Sequence, residues 1–186
     1  MQTKTTTSWL VGMILLVASA APAAAQAVGS STPASTSDAT VPEIGVTTGL
    51  LHFGGFGSWL GFDANYATKT FTQPATSLGL RLGIVVEGGV HKFSGDTLED
   101  VQGGVNITAD KFVGPPRIHW YGQAMFGIGH FSFSTDKLFT IVAGAEIPLQ
   151  SKEFKVRAEI GQVWDIFSGG HEVAWRYSIG IALPLK

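Results

Sequence analysis

The feature that most constrains this sequence is a repeated alternation of apolar and polar side chains. Over residues 154–167 most apolar side chains occupy even positions, whereas every charged side chain occupies an odd position. Such a period of two is typical of a β-strand with one face in an apolar environment. Seven further segments show the same pattern, at residues 43–51, 58–70, 77–93, 98–108, 117–131, 137–149 and 172–185. The sequence therefore predicts an all-β fold of eight antiparallel strands.

An even number of strands can close into a barrel with both chain ends on one side. Gly, Ser, Pro and Asp separate the segments, as expected of hairpin connections. The connectors at 54–57, 94–97, 132–136 and 168–171 would lie at the end away from the termini, and we interpret them as extracellular loops. Those at 73–76, 113–116 and 150–153 would be periplasmic turns.

Alternation alone does not say which face points outward, since a soluble barrel buries its apolar face and a membrane barrel exposes it. Charged residues make up only 14% of the chain, which is low for covering the outside of a soluble protein. Aromatic side chains near the strand ends would suit a membrane–water interface. The candidates are Trp59, Trp120, Tyr121, Trp164, Trp175 and Tyr177. We expect an eight-stranded transmembrane β-barrel, with a soluble periplasmic sandwich or barrel as the alternative.

The polar faces of the segments carry charges of both signs at mid-strand. These are Arg81, Glu87, Glu146, Arg157, Glu159 and Arg176. The interior of an eight-stranded barrel is just wide enough for side chains to fill. We expect these residues to form a salt-bridged plug in the lumen, with a narrow pore as the alternative.

The start of the chain has the pattern of an export signal. Lys4 precedes an apolar run, which ends in the small residues Ala23, Ala24 and Ala25. This order is typical of a cleavable signal peptide, and the run is shorter than a membrane-spanning helix requires. We expect a signal peptide at residues 1–25, a flexible leader rich in Ser, Thr, Ala and Pro at 26–42, and the barrel at 43–186. Export with a barrel places the protein in the outer membrane, in contact with its lipid.

Composition excludes several kinds of function. The formal net charge is −2, so the sequence has no basic excess for nucleic acid. Cysteine is absent, which excludes disulfides, thiolate metal sites and a lipoprotein anchor. The five histidines are spread along the chain without ligand spacing, and we predict neither a metal site nor a cofactor.

The last third of the chain resembles a known family. The stretches at 120–130, 143–146, 157–164 and 175–181 are similar to the outer membrane protein β-barrel domain family of small OmpA-like or OmpX-like barrels. The resemblance implies an eight-stranded outer-membrane barrel, for most members without a defined ligand or activity. The family usually ends on an aromatic residue, whereas this chain ends in Leu183, Pro184, Leu185 and Lys186, which bears on its recognition for insertion.

One set of residues suggests an enzyme. His130 and Ser132 form an H-x-S pair, and Glu146 lies on the next segment. Serine as nucleophile, histidine as base and glutamate as its orienting group is the arrangement of outer-membrane lipid A deacylases. However, Phe133 occupies the position where those enzymes have Asn, and Ser132 lies where serine is ordinary in a turn. We expect a non-enzymatic envelope barrel, with a narrow pore or solute-binding barrel and a deacylase as alternatives.

Overall fold

The computed structural model describes residues 42–55, 57–68, 80–109, 118–149 and 154–185. The predicted signal peptide, the leader up to residue 41 and the three predicted periplasmic turns lie outside the described residues. No helix in the described ranges is long and apolar enough to cross a membrane. The eight strands are β1 (Glu43–Phe53), β2 (Gly57–Ala67), β3 (Leu80–Phe93), β4 (Asp96–Ala109), β5 (His119–Phe131), β6 (Thr135–Pro148), β7 (Lys155–Phe167) and β8 (Gly170–Pro184).

The strands form one closed antiparallel barrel in sequence order. Each strand pairs with the next, and β1 closes the barrel by pairing with β8 over its whole length, from Glu43 opposite Pro184 to Phe53 opposite Ala174. This confirms the prediction of eight antiparallel strands, each of which ends within about three residues of its predicted bounds. The barrel has no open edge, so every strand has partners on both sides.

The two faces of each strand differ as the alternation predicts. In β7, Arg157 and Glu159 are buried inside the barrel, whereas Ile160 points outward and is 47% exposed. Large apolar side chains cover the outer surface on every strand, Phe62, Phe126 and Ile179 among them. An apolar exterior around a polar interior is the reverse of a soluble barrel and is typical of a barrel in lipid.

The hairpins at the end away from the termini are short. Two residues, Ser94 and Gly95, join β3 to β4, and both have positive φ angles, of 47° and 98°. Two consecutive positive φ angles are the requirement of the type I′ turn, whose twist matches that of the flanking strands. Residues 132–134 and 168–169 form the connections from β5 to β6 and from β7 to β8. These turns set the pairing register of their strands.

Apolar side chains fill the barrel interior beside these hairpins. We call this cluster the apolar cap, and its members are Leu51, Phe53, Trp59, Leu98, Phe131, Leu138, Val163 and Ala174. Trp59 is 5% exposed, and its ring lies 6.1 Å from that of Phe53 and 6.0 Å from that of Phe131. The prediction that Trp59 lies at the membrane interface is therefore wrong. It shares the inward face of β2 with Asp63 and Asn65, because all three occupy odd positions.

The outer surface carries the other predicted interface aromatics except Tyr121. Trp120, Trp175 and Tyr177 point outward and are 47%, 42% and 47% exposed. Trp164 also lies on the outer face and packs against Phe139 across the β6–β7 pair, with ring centroids 5.4 Å apart. These side chains form part of the largely apolar outer surface of the barrel.

Candidate functional site

Below the apolar cap, the interior contains groups of buried ion pairs. One group lies toward the chain termini, where Arg157 on β7 contacts Glu146 on β6. Its Nε and Nη2 atoms both donate to Glu146 Oε1, at 3.2 and 2.6 Å. Lys155 donates to the other oxygen of Glu146 at 3.2 Å and also binds Glu43 on β1. This group therefore links β6, β7 and β1 across the lumen.

Arg176 on β8 is the centre of a second group nearer the cap. It reaches across the barrel and binds both carboxylate oxygens of Glu87 on β3, with 3.0 Å between Nη2 and Oε2. The same Nη2 lies 3.2 Å from Glu159 Oε2 and 3.3 Å from Asp63 Oδ2. The side chain of Arg176 is 3% exposed, so one buried cation faces three carboxylates.

Uncharged side chains join the two groups. Asn65 accepts a hydrogen bond from Arg157 Nη1 at 2.8 Å and donates one to Glu87 Oε2 at 3.4 Å. Glu159 accepts hydrogen bonds from Tyr121 at 2.5 Å and from Ser178 at 2.7 Å. The interior thus holds a continuous polar network, in which most charged groups have the partners that burial requires.

Tyr121 is the second residue for which the predicted position at the membrane interface is wrong. It is 7% exposed, points into the lumen, and its ring lies 4.8 Å below the guanidinium of Arg157. The adjacent Trp120 points outward, since neighbours in a strand occupy opposite faces. Only one of two consecutive aromatics can therefore face outward. The outward apolar residues Ala124, Phe126 and Ile128 have the parity of Trp120, which identifies Tyr121 as the inward one.

The hydroxyl of Tyr121 should contribute to the stability of the barrel through its hydrogen bond to Glu159. We expect Tyr121→Phe to lower the free energy of unfolding by about 1 to 3 kcal/mol, because Glu159 loses a buried donor. Urea unfolding of the chain folded in lipid vesicles measures this loss. Tyr177→Phe is the matched control, since that ring points outward, and its effect should be below about 0.5 kcal/mol. Equal losses in the two variants would contradict the role of the hydrogen bond.

The structure brings most of the predicted lumen residues together in the network. Glu87, Glu146, Arg157, Glu159 and Arg176 are buried and take part in the network. Arg81 lies half-buried on the same face of β3 as Glu87, six residues closer to the start of the strand.

A third buried group, which the sequence pattern does not reveal, lies between Arg176 and the cap. His91 Nε2 on β3 is 3.0 Å from Asp63 Oδ1 on β2 and 3.7 Å from Asp100 Oδ2 on β4. All three side chains are buried. They lie far apart in the sequence, so no motif spacing reveals them. The signal that could have found them has two parts. All three residues occupy inward-facing positions of their strands, and the register of β2 with β3 and of β3 with β4 brings these positions together.

The predicted enzymatic residues do not meet. His130 pairs with Thr135 beside the β5–β6 hairpin, and its Nδ1 lies 2.9 Å from the hydroxyl of Thr135. Glu146 is opposite His119, which is about 36 Å from His130 along β5 at the usual rise per residue. Ser132 accepts a hydrogen bond from the backbone N–H of Thr97 at 3.0 Å. The hypothesis of a triad formed by His130, Ser132 and Glu146 is wrong, because the antiparallel register sends Glu146 to the opposite end of the barrel.

Comparison with solved structures finds several similar proteins. Neisserial surface protein A matches with a TM-score of 0.51 and 12% identity, over 79% of this chain and 97% of that one. The outer membrane enzyme PagL matches with a TM-score of 0.52 and 13% identity, over 76% and 99%. The N-terminal β-barrel domain of Pseudomonas aeruginosa OprF gives 0.44 and 10%, over 77% and 97%. No family profile and no curated protein matches the sequence.

These similarities are ones of architecture, since the identities are too low to transfer an activity. The matches to Neisserial surface protein A and PagL, with TM-scores of 0.51 and 0.52, agree with the closed eight-stranded barrel described above. The chain has the fold of the small eight-stranded outer-membrane barrels.

Proposed function

We propose that this protein is a non-enzymatic outer-membrane barrel whose lumen is closed by its own side chains. The observation that carries the proposal is the filled interior, in which a charged network and an apolar cap follow one another along the barrel axis. The cap includes Trp59 and Phe131, and the network includes Arg157 and Arg176. Side chains of this size fill the lumen of an eight-stranded barrel.

The exterior supports a location in lipid. Outward apolar residues occur on each strand, and Trp120, Trp175 and Tyr177 would contact the interfacial region of the bilayer. The partner implied by this surface is outer-membrane lipid. The predicted signal peptide at 1–25 would supply export, as such segments do.

A narrow pore is the alternative, and the network argues against it. Arg176 is held by Glu87, Glu159 and Asp63, so its side chain cannot leave the lumen without unpairing several buried charges. Removing one partner from a buried ion pair typically costs about 3 to 5 kcal/mol. The apolar cap adds a second barrier, because an ion would have to give up hydration water to enter an apolar constriction.

The deacylase alternative has little support from geometry. PagL shares the fold, but His130 and Ser132 lie at one end of this barrel and Glu146 at the other. The hydroxyl of Ser132 is engaged with Thr97 in the hairpin region. A catalytic serine instead needs a base within hydrogen-bond reach and an orienting group behind that base.

Electrical recording tests the closed lumen. We expect planar bilayers that contain the purified, folded full chain to show no more current than bilayers treated with detergent alone, because the network and the cap both block ions. The gel mobility of the sample should change on boiling, and the protein should co-fractionate with outer membrane, which together show that a folded membrane barrel was tested. Reproducible current steps that scale with the amount of folded protein would favour the narrow pore and overturn the proposal.

A further inference from the structure

The buried group of Asp63, His91 and Asp100 is built around a glycine. Asp63 pairs with Gly89 across β2 and β3, and Gly89 pairs with Asp100 across β3 and β4. The two carboxylates therefore flank the glycine in one row across three strands, on the inner face. His91 is two residues farther along β3, on the same face as Gly89, and turns its ring back over this row.

The donor atoms of the three side chains converge on one small space. One donor atom from each of Asp63, His91 and Asp100 lies within 4.8 Å of the donor atoms of the other two. A Cβ atom at Gly89 would fall between them, closest to Asp63 Oδ1, 2.8 Å from Asp100 Oδ2 and 3.1 Å from His91 Nε2. The space that the missing side chain leaves is thus lined by one imidazole nitrogen and two carboxylate oxygens.

Acidic side chains outnumber basic ones around this space. Arg176 is shared among Asp63, Glu87 and Glu159. Among the described residues, the ion-pair partner of Asp100 is His91, whose Nε2 can donate its single proton to only one carboxylate and lies closer to Asp63. A buried carboxylate requires a compensating charge or a strong donor. A cation in the space beside Gly89 would supply that charge to both aspartates.

We propose that Asp63, His91 and Asp100 bind a divalent transition-metal cation of the Zn²⁺ class inside the barrel. One imidazole nitrogen with two carboxylate oxygens is a mixed donor set, which suits such a metal better than Ca²⁺ or Mg²⁺, since these prefer oxygen alone. Outer partners hold the ligands in place. Gln102 donates to Asp100 Oδ1 at 3.2 Å, and Arg176 contacts the second oxygen of Asp63.

Metal retention tests the site directly. The full chain is folded in detergent with Zn²⁺ after metal removal, dialysed against a weak chelator, and its zinc measured by mass spectrometry. We expect one Zn²⁺ per chain, and a fall in affinity of at least about 10-fold for Asp100→Asn and for His91→Gln, since each removes a ligand. Zinc retention that is no higher in the unaltered chain than in these variants would overturn the proposal.

Matched controls separate the site from adventitious binding. Glu99→Gln removes the acid next to Asp100 in β4, on the opposite face, and His130→Gln removes an exposed histidine. Both should retain zinc like the unaltered chain, whereas a loss in either of them would place the metal elsewhere. All variants are compared only as heat-modifiable, folded barrels. Should Asp100→Asn fail to fold, His91→Gln still decides.

Cobalt substitution gives an independent readout. Co²⁺ of low coordination number absorbs visible light much more strongly, and at longer wavelength, than hexahydrated Co²⁺. The folded chain should therefore gain an intense band that Zn²⁺ abolishes by competition. Excess Mg²⁺ or Ca²⁺ should leave the band unchanged. Displacement by Ca²⁺ or Mg²⁺ would contradict the assignment to a transition metal, and a chain that gains no band would contradict the site.

Discussion

Replacement of Arg176 by Met is expected to lower the free energy of unfolding by about 3 to 5 kcal/mol, because the change leaves three buried carboxylates without their shared cation. The three are Glu87, Glu159 and Asp63. Urea titration of the chain in lipid vesicles, followed by tryptophan fluorescence, measures the loss. The methionine keeps much of the side-chain volume, so lost charge rather than a cavity causes the effect.

Two further variants test whether the loss comes from unpaired buried charge. Lys92→Met removes an exposed cation at the end of β3 and should change the free energy of unfolding by less than about 0.5 kcal/mol. Adding Glu87→Gln to Arg176→Met should restore part of the loss, because one of the unpaired charges is removed. If Arg176→Met unfolds at the same urea concentration as the unaltered chain, the buried network does not hold the barrel together.

Trp59→Ala is the second change with a large expected effect. The ring packs in the apolar cap against Phe53 and Phe131 and stacks on Phe93 at 6.0 Å, so its removal leaves a cavity inside the barrel. Truncation of a buried tryptophan typically costs about 3 to 5 kcal/mol. The same urea titration measures this loss, with the remaining tryptophans as reporters.

Trp175→Ala is the matched control for Trp59. Trp175 points outward and is 42% exposed, and lipid can fill the space that the smaller side chain leaves. Its replacement should therefore cost clearly less than that of Trp59. A larger loss for Trp175 than for Trp59 would contradict the placement of Trp59 in a packed interior.

Much of the fold could be predicted from sequence because the constraint is local. A strand with one face in lipid and the other in a polar lumen must alternate, and β7 does so almost without exception. The inward position of Arg157, Glu159 and Arg176 follows from the same parity. Short hairpins rich in Gly and Ser then place the strands in sequence order.

Residue type alone does not determine which face of a strand a side chain occupies. Trp59 and Tyr121 are aromatic and lie near strand ends, but their parity matches inward residues such as Asp63 and Gln123. An interior filled near the hairpins by apolar side chains cannot be recognised from alternation alone, since the alternation weakens there.

Contacts between side chains on different strands could not be predicted from the sequence, for another reason. The group of Asp63, His91 and Asp100 depends on the register of β2 with β3 and of β3 with β4. A shift of one residue in either pairing would turn a partner to the other face. The same dependence separated Glu146 from His130, although the two strands are adjacent.

The order of the strands bears on how the barrel assembles. Seven of the eight pairings join strands that are consecutive in the chain, so each can form by closing a short loop. The pairing of β1 with β8 joins the two ends of the barrel sequence and carries the largest loop-closure entropy. We expect this seam to form last. Until it does, β1 and β8 present unpaired backbone groups that hydrocarbon cannot satisfy, and we expect the open barrel to aggregate most readily at this stage.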